Sequence, residues 1–102
     1  MRSRYAGYAL GLVDYIMLTT AEGADPASGD RAKWARDIEV FCSETVFESL
    51  EVIHASEDGD RGSVTFVAHL RQGERDASFR EESTFVRRDE RWLYLSGNSQ
   101  PL

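Results

Sequence analysis

Apolar and polar side chains alternate in two runs that meet at Asp89-Glu90. The first run is Phe79, Glu81, Ser83, Phe85 and Arg87, and the second is Trp92, Tyr94 and Ser96. Period-two alternation about a turn predicts a β-hairpin. With Asp89-Glu90 as the turn, Phe85 falls opposite Tyr94 and Ser83 opposite Ser96. One face of this hairpin is then aromatic, with the carboxylate of Glu81 in it. The preceding run, SVTFVAHLR, puts Val64, Phe66, Ala68 and Leu70 on one face and Thr65, Val67 and His69 on the other. A tight turn at Gln72-Gly73 would pair Phe66 with Phe79 and Val64 with Glu81, extending the aromatic face. Upstream, VFESLEVIHAS is also strand-like, but both parities carry apolar residues, and a bulge would reconcile them.

The N-terminal third has a different period. Tyr5, Tyr8, Ala9, Leu12, Tyr15, Ile16 and Thr19 recur at steps of three and four, which predicts one helix from about Ser3 to Leu18. Gly7 and Gly11 weaken it by about 1 kcal/mol each relative to alanine. The segment Thr20 to Asp30 reads as a loop, with Pro26 setting a turn. Asp30 is placed to cap a second helix, from about Arg31 to Ser43, whose stripe is Trp34, Ala35, Ile38, Phe41 and Cys42. Two helices followed by four antiparallel strands make an α+β pattern, with the helices covering the aromatic face of a curved sheet.

Composition narrows the function classes. At 102 residues, one domain spanning 1–102 is expected. The net charge of −6 disfavours nucleic acid, and no basic cluster offsets it. The single cysteine, Cys42, excludes an internal disulfide and a cysteine-rich zinc site. Near a helix C-terminus it reads as a small buried hydrophobe. No apolar run suffices for a membrane span, and the N-terminal run is interrupted by Gly7 and Asp14, unlike a signal peptide. The cytoplasm is the expected compartment.

Two stretches, MRSRYAGYALGLVDYI and FREESTFVRRDERWLYLSG, resemble the opening helix and final hairpin of the central domain of YchJ-like, SEC-C-motif-associated proteins. The resemblance implies a nuclear transport factor 2-like cone of helices wrapped on a curved antiparallel sheet. It identifies a family and not a reaction. Relatives carry cysteine-rich SEC-C modules that bind zinc and are associated with protein partners. This chain shows none, so neither zinc nor that docking role carries over. The family's histidine is matched by Arg80. Its turn glycine is matched by Glu90, which does not easily allow two residues at positive φ. The matching positions are Glu81, Ser83, Phe85, Arg91 and Trp92.

Two functions compete on this pattern. One is a binding or interaction domain with no catalytic residue and no metal or cofactor. The other is a cone-fold enzyme of isomerase, dehydratase or hydrolase type, with Glu81 as general acid or base. The binding reading rests on the acidic surface, the apolar outer sheet face and the family's coupling to partner-binding modules, and the candidates to line a pocket are Tyr5, Tyr8, Trp34, Phe66, Phe79, Glu81, Ser83, Phe85 and Tyr94. The binding reading is preferred, because no second acid, histidine or metal-ligand pair shares the face of Glu81. Glu81 should instead be bonded to a tyrosine hydroxyl, Ser83 or backbone amides. His69 is expected to face outward near Asp76. The binding partner is a small molecule or a protein. Val67, Val86, Leu93 and Leu95 fall on the outer sheet face, where they suggest a homodimer packed sheet to sheet.

Overall fold

The computed structural model describes residues 1–21, 24 and 30–102. The expected Pro26 turn lies outside the described residues. Among the described residues three helices come first: α1 (Arg2–Ala9), α2 (Val13–Leu18) and α3 (Arg31–Glu44). Five strands follow: β1 (Val46–Asp58), β2 (Arg61–Gln72), β3 (Arg75–Asp76), β4 (Phe79–Arg88) and β5 (Arg91–Pro101). All pair antiparallel, in the order β1-β2-β4-β5, with the short β3 beside β2.

The first helix is not continuous. It breaks at Gly11, whose φ of +70° is cheap only for glycine, and α2 folds back on α1. The break turns Leu12 out of the expected stripe to 48% exposure, while Ile16 becomes fully buried. Ile16 forms one core with Trp34 and Ile38, against which Tyr8, Val13, Met17 and Cys42 pack. Asp30 caps α3 by accepting from the Ala32 and Lys33 amides at 3.0 and 3.2 Å.

On the sheet, the alternation is as expected but two registers differ. The β2–β4 register lies two residues from the expected one: Phe66 faces Glu81, Val64 faces Ser83 and Ala68 faces Phe79. The reason is the turn, which is Gly73-Glu74 with Gly73 at φ +63°, extending the hairpin through β3. An even shift leaves every side chain on its face. Phe66 and Phe79 still meet diagonally, edge to face at 6.0 Å. In the final hairpin, Phe85 faces Tyr94, but a bulge follows and Ser83 faces Gly97 instead of Ser96. Both turn residues, Asp89 and Glu90, adopt positive φ (52° and 66°), so the turn forms without the glycine. Irregularities at Phe47/Ser49 and Val52/His54 bring Phe47, Leu50 and Val52 opposite Leu70, Ala68 and Phe66. A second core, centred on Phe66, Ala68 and Leu70, therefore takes in Tyr5, Phe41, Phe47, Leu50 and Phe79.

After α2 the chain runs along β5. The Tyr94 amide donates to Thr19 O and the Ala21 amide to Tyr94 O, both at 2.7 Å. This two-bond clasp fixes the helices against the strand that carries Tyr94.

Candidate functional site

A pocket of about 410 Å³ lies between the helices and the concave face of the sheet. α1 contributes Arg4, Tyr5 and Tyr8, and α3 contributes Trp34, Asp37, Ile38 and Phe41. The sheet supplies Phe47, Phe66, Ala68, Leu70, Phe79, Glu81 and Tyr94. Aromatic edges lock much of this wall. Phe47 meets Tyr5 at 5.6 Å and Phe41 at 5.9 Å, both near perpendicular, and Tyr8 meets Phe41 at 5.8 Å.

The pocket brings together seven of the nine residues expected from sequence: Tyr5, Tyr8, Trp34, Phe66, Phe79, Glu81 and Tyr94. Ser83 and Phe85 are not on its wall. Ser83 is fully buried beneath Glu81, and Phe85 packs edge to face on Tyr94 at 5.8 Å. Phe85 lines a second cleft, of about 450 Å³, with Tyr15, Ala55, Ser56 and Trp92.

Glu81 is held by hydroxyls. Ser83 donates to Oε2, Ser99 to Oε1, and Tyr94 to Oε2 at 3.4 Å. Ser99 reaches the carboxylate because the β5 bulge turns it, and not Asn98, to the concave face. Gly97 sits against the same cluster. A Cβ there would overlap the Tyr94 hydroxyl and the Glu81 carboxyl, so glycine is needed for the close approach. The Tyr94 hydroxyl is pushed up to about 12, first by burial and then by the adjacent Glu81 charge.

Sequence reasoning missed Arg4. Its side chain is buried (6% exposed) and lines both cavities. Nη1 donates to Thr19 Oγ1 at 2.7 Å, and to Ile16 O and Thr20 Oγ1 at 3.2 Å each. The guanidinium carbon lies 4.8 Å from the Tyr94 ring centroid, a cation–π contact. Burial pulls the Arg4 pKa below its ordinary value, partly offset by Tyr8, Tyr94, Tyr15 and Glu81. A signal was present: Arg4 precedes Tyr8 by four positions, one helical turn along the same stripe.

The remaining candidates lie elsewhere. His69 faces outward 3.9 Å from Glu51, while the Asp76 carboxylate accepts from the Ser78 amide at 2.9 Å. His54 is exposed, opposite Thr65. Cys42 is half-buried, and burial raises its thiol pKa. Arg91 is exposed, and Trp92 lies under the Arg87 guanidinium at 5.2 Å. Among the described residues no group of three His, Cys, Asp or Glu could hold a metal, and no helix is long and apolar enough to cross a membrane.

On the outer face, Val67 and Val86 are each 8% exposed within the single chain. Val67 lies between Glu51 and Arg80, and Val86 between Arg61 and Leu93, so long side chains flank both valines. Leu93 and Leu95 are half-buried. The open apolar patch expected from sequence is therefore much smaller.

A helical cover on a curved antiparallel sheet, closing over an aromatic pocket, defines a nuclear transport factor 2-like domain. The chain belongs to the YchJ family: residues 1–97 match its middle NTF2-like domain. It is 35% identical over 99 residues to a UPF0225 protein of Polaromonas naphthalenivorans, covering 96% of this chain and 65% of the relative. A UPF0225 protein of Chromobacterium violaceum is also 35% identical, over 100 residues, covering 95% of this chain and 69% of that one. The chain thus spans about two thirds of the length of these relatives. Among solved structures, the solution structure of a SEC-C motif containing protein from Rhodopseudomonas palustris superposes with a TM-score of 0.81 at 36% identity. That match covers 96% of this chain and 73% of the other.

Proposed function

We propose that the concave pocket is a non-catalytic binding site for a small, largely apolar molecule. The observation that carries this is the state of Glu81. Its two oxygens already accept from Ser83, Ser99 and Tyr94. A general acid or base needs a carboxyl oxygen aimed at substrate, with a second group placed to complete the proton transfer. Here the carboxylate is tied into the wall, and the rest of the lining is mostly aromatic and aliphatic. The size is that of ordinary small-molecule sites, roughly 300–1,000 Å³.

A fragment library screened by amide chemical-shift mapping on the intact chain tests this. Apolar fragments should shift the amides of Tyr8, Phe47, Phe66 and Tyr94 together, with Glu81→Gln still binding. Hits confined to the outer sheet face would overturn the reading. Turnover that Glu81→Gln abolishes would favour the cone-fold enzyme.

A further inference from the structure

The polar groups of the pocket are unequally spent, and this indicates what the ligand must bring. Glu81, the carboxylate deepest in the sheet wall, has its acceptors occupied by three hydroxyls. Asp37, on the helix side, is paired with Lys33 at 3.1 Å. The opposite holds for the donors. Arg4 spends Nη1 on Ile16, Thr19 and Thr20 and stands beside the Tyr8 hydroxyl, but no carboxylate oxygen among the described residues accepts from it. No carboxylate among the described residues forms an ion pair with Arg4, and Glu81 is the weakest of the groups acting on its charge. The Tyr5 hydroxyl, on the same helix, is buried without a partner among the described residues. A guanidinium can only donate, and its fork matches two oxygens side by side.

We propose that Arg4 receives the carboxylate of an apolar carboxylic acid, whose hydrocarbon or aryl body lies against Tyr8, Phe47 and Phe66. This rests on the binding reading above and adds the charge of the ligand to it. The salt link formed would supply a counter-charge that no ion pair among the described residues gives to a cation 94% removed from solvent.

The test compares phenylbutyrate with phenylbutyramide, which has the same shape without the charge. Each is titrated into the wild-type chain and followed by the pocket amides and the Arg4 Nε–Hε resonance. The acid should bind at least about tenfold more tightly than the amide and should shift Arg4 Nε–Hε. Arg4→Met, checked for a dispersed spectrum, should remove the difference but keep amide binding. If that variant does not fold, the wild-type Nε–Hε shift decides alone. Equal affinity for acid and amide in the pocket, or acid binding that leaves Arg4 unmoved, overturns the carboxylate inference and leaves the binding reading standing. If neither molecule perturbs the pocket at millimolar concentration, the inference and the binding reading both lose their support.

Discussion

At the scale of single residues, the site depends on two positions that carry no reactive group. Gly97 makes room for the Tyr94 hydroxyl and the Glu81 carboxyl. Gly97→Ala should leave the chain folded, since the atoms displaced are side-chain ends. It should cost about 1–3 kcal/mol, read as a lower midpoint in urea. Tyr94 offers a second test. Its phenol ordinarily loses its proton near pH 10.0, but in the fold it holds it to about 12. Between these values the native state binds more protons than the unfolded one, so the contribution is intact below pH 10.0 and lost as pH approaches about 12. Melting temperature should therefore fall over this window, and less steeply for Tyr94→Phe. Tyr5 and Tyr8 are also raised by burial and keep part of the slope. Equal slopes in wild type and Tyr94→Phe would show that Tyr94 titrates normally.

At the scale of elements, α3 joins the helical cover to the sheet. Trp34 is 7% exposed and shares a core with Ile16 and Ile38, while Phe41 on the same stripe reaches Tyr8 and Phe47. Trp34→Ala should cost about 3–5 kcal/mol, a large share of the roughly 5–15 kcal/mol of a small domain. Chemical denaturation measures it, and a loss below about 1 kcal/mol would place Trp34 outside the core. The stripe of α3, its Asp30 cap and the faces of β2 and β4 were legible because burial imposes a period that sequence displays. The break at Gly11 was not, since about 1 kcal/mol per glycine does not end a helix by itself. What folds α2 back is tertiary: Arg4 Nη1 of α1 bonds to Ile16 O and Thr19 Oγ1 at the end of α2. The registers were hidden for a related reason. A shift by two residues keeps every face, so alternation cannot distinguish the Gly73-Glu74 turn from its neighbour. Arg4 was passed over because arginine counts as polar in a hydrophobic pattern, although its spacing to Tyr8 put it on the covered side.

At the scale of the whole molecule, most of the apolar surface of the sheet is spent inward. Because Val67 and Val86 are covered within one chain, self-association through the outer face would draw, among the described residues, on the half-buried Leu93 and Leu95 and on the exposed Val46 of the β1 edge. Light scattering across a dilution series should give the mass of one chain at micromolar concentration, unchanged by Leu93→Glu. A double mass that Leu93→Glu halves would restore the sheet-to-sheet dimer. The inner face keeps its arrangement by a different device. On β5, one residue more than a regular ladder needs lies between Tyr94, opposite Phe85, and Ser96, opposite Thr84. That surplus is a seam in the chain. Were it lost, a regular ladder would still bring Gly97 to Ser83 and Ser99 to Glu81. One residue lost or gained beyond Gly97 would instead turn Ser99 away from the carboxylate. Over generations, β5 can change length by one at the seam without altering the wall of the pocket, while the segment from Gly97 to Ser99 can change only by substitution.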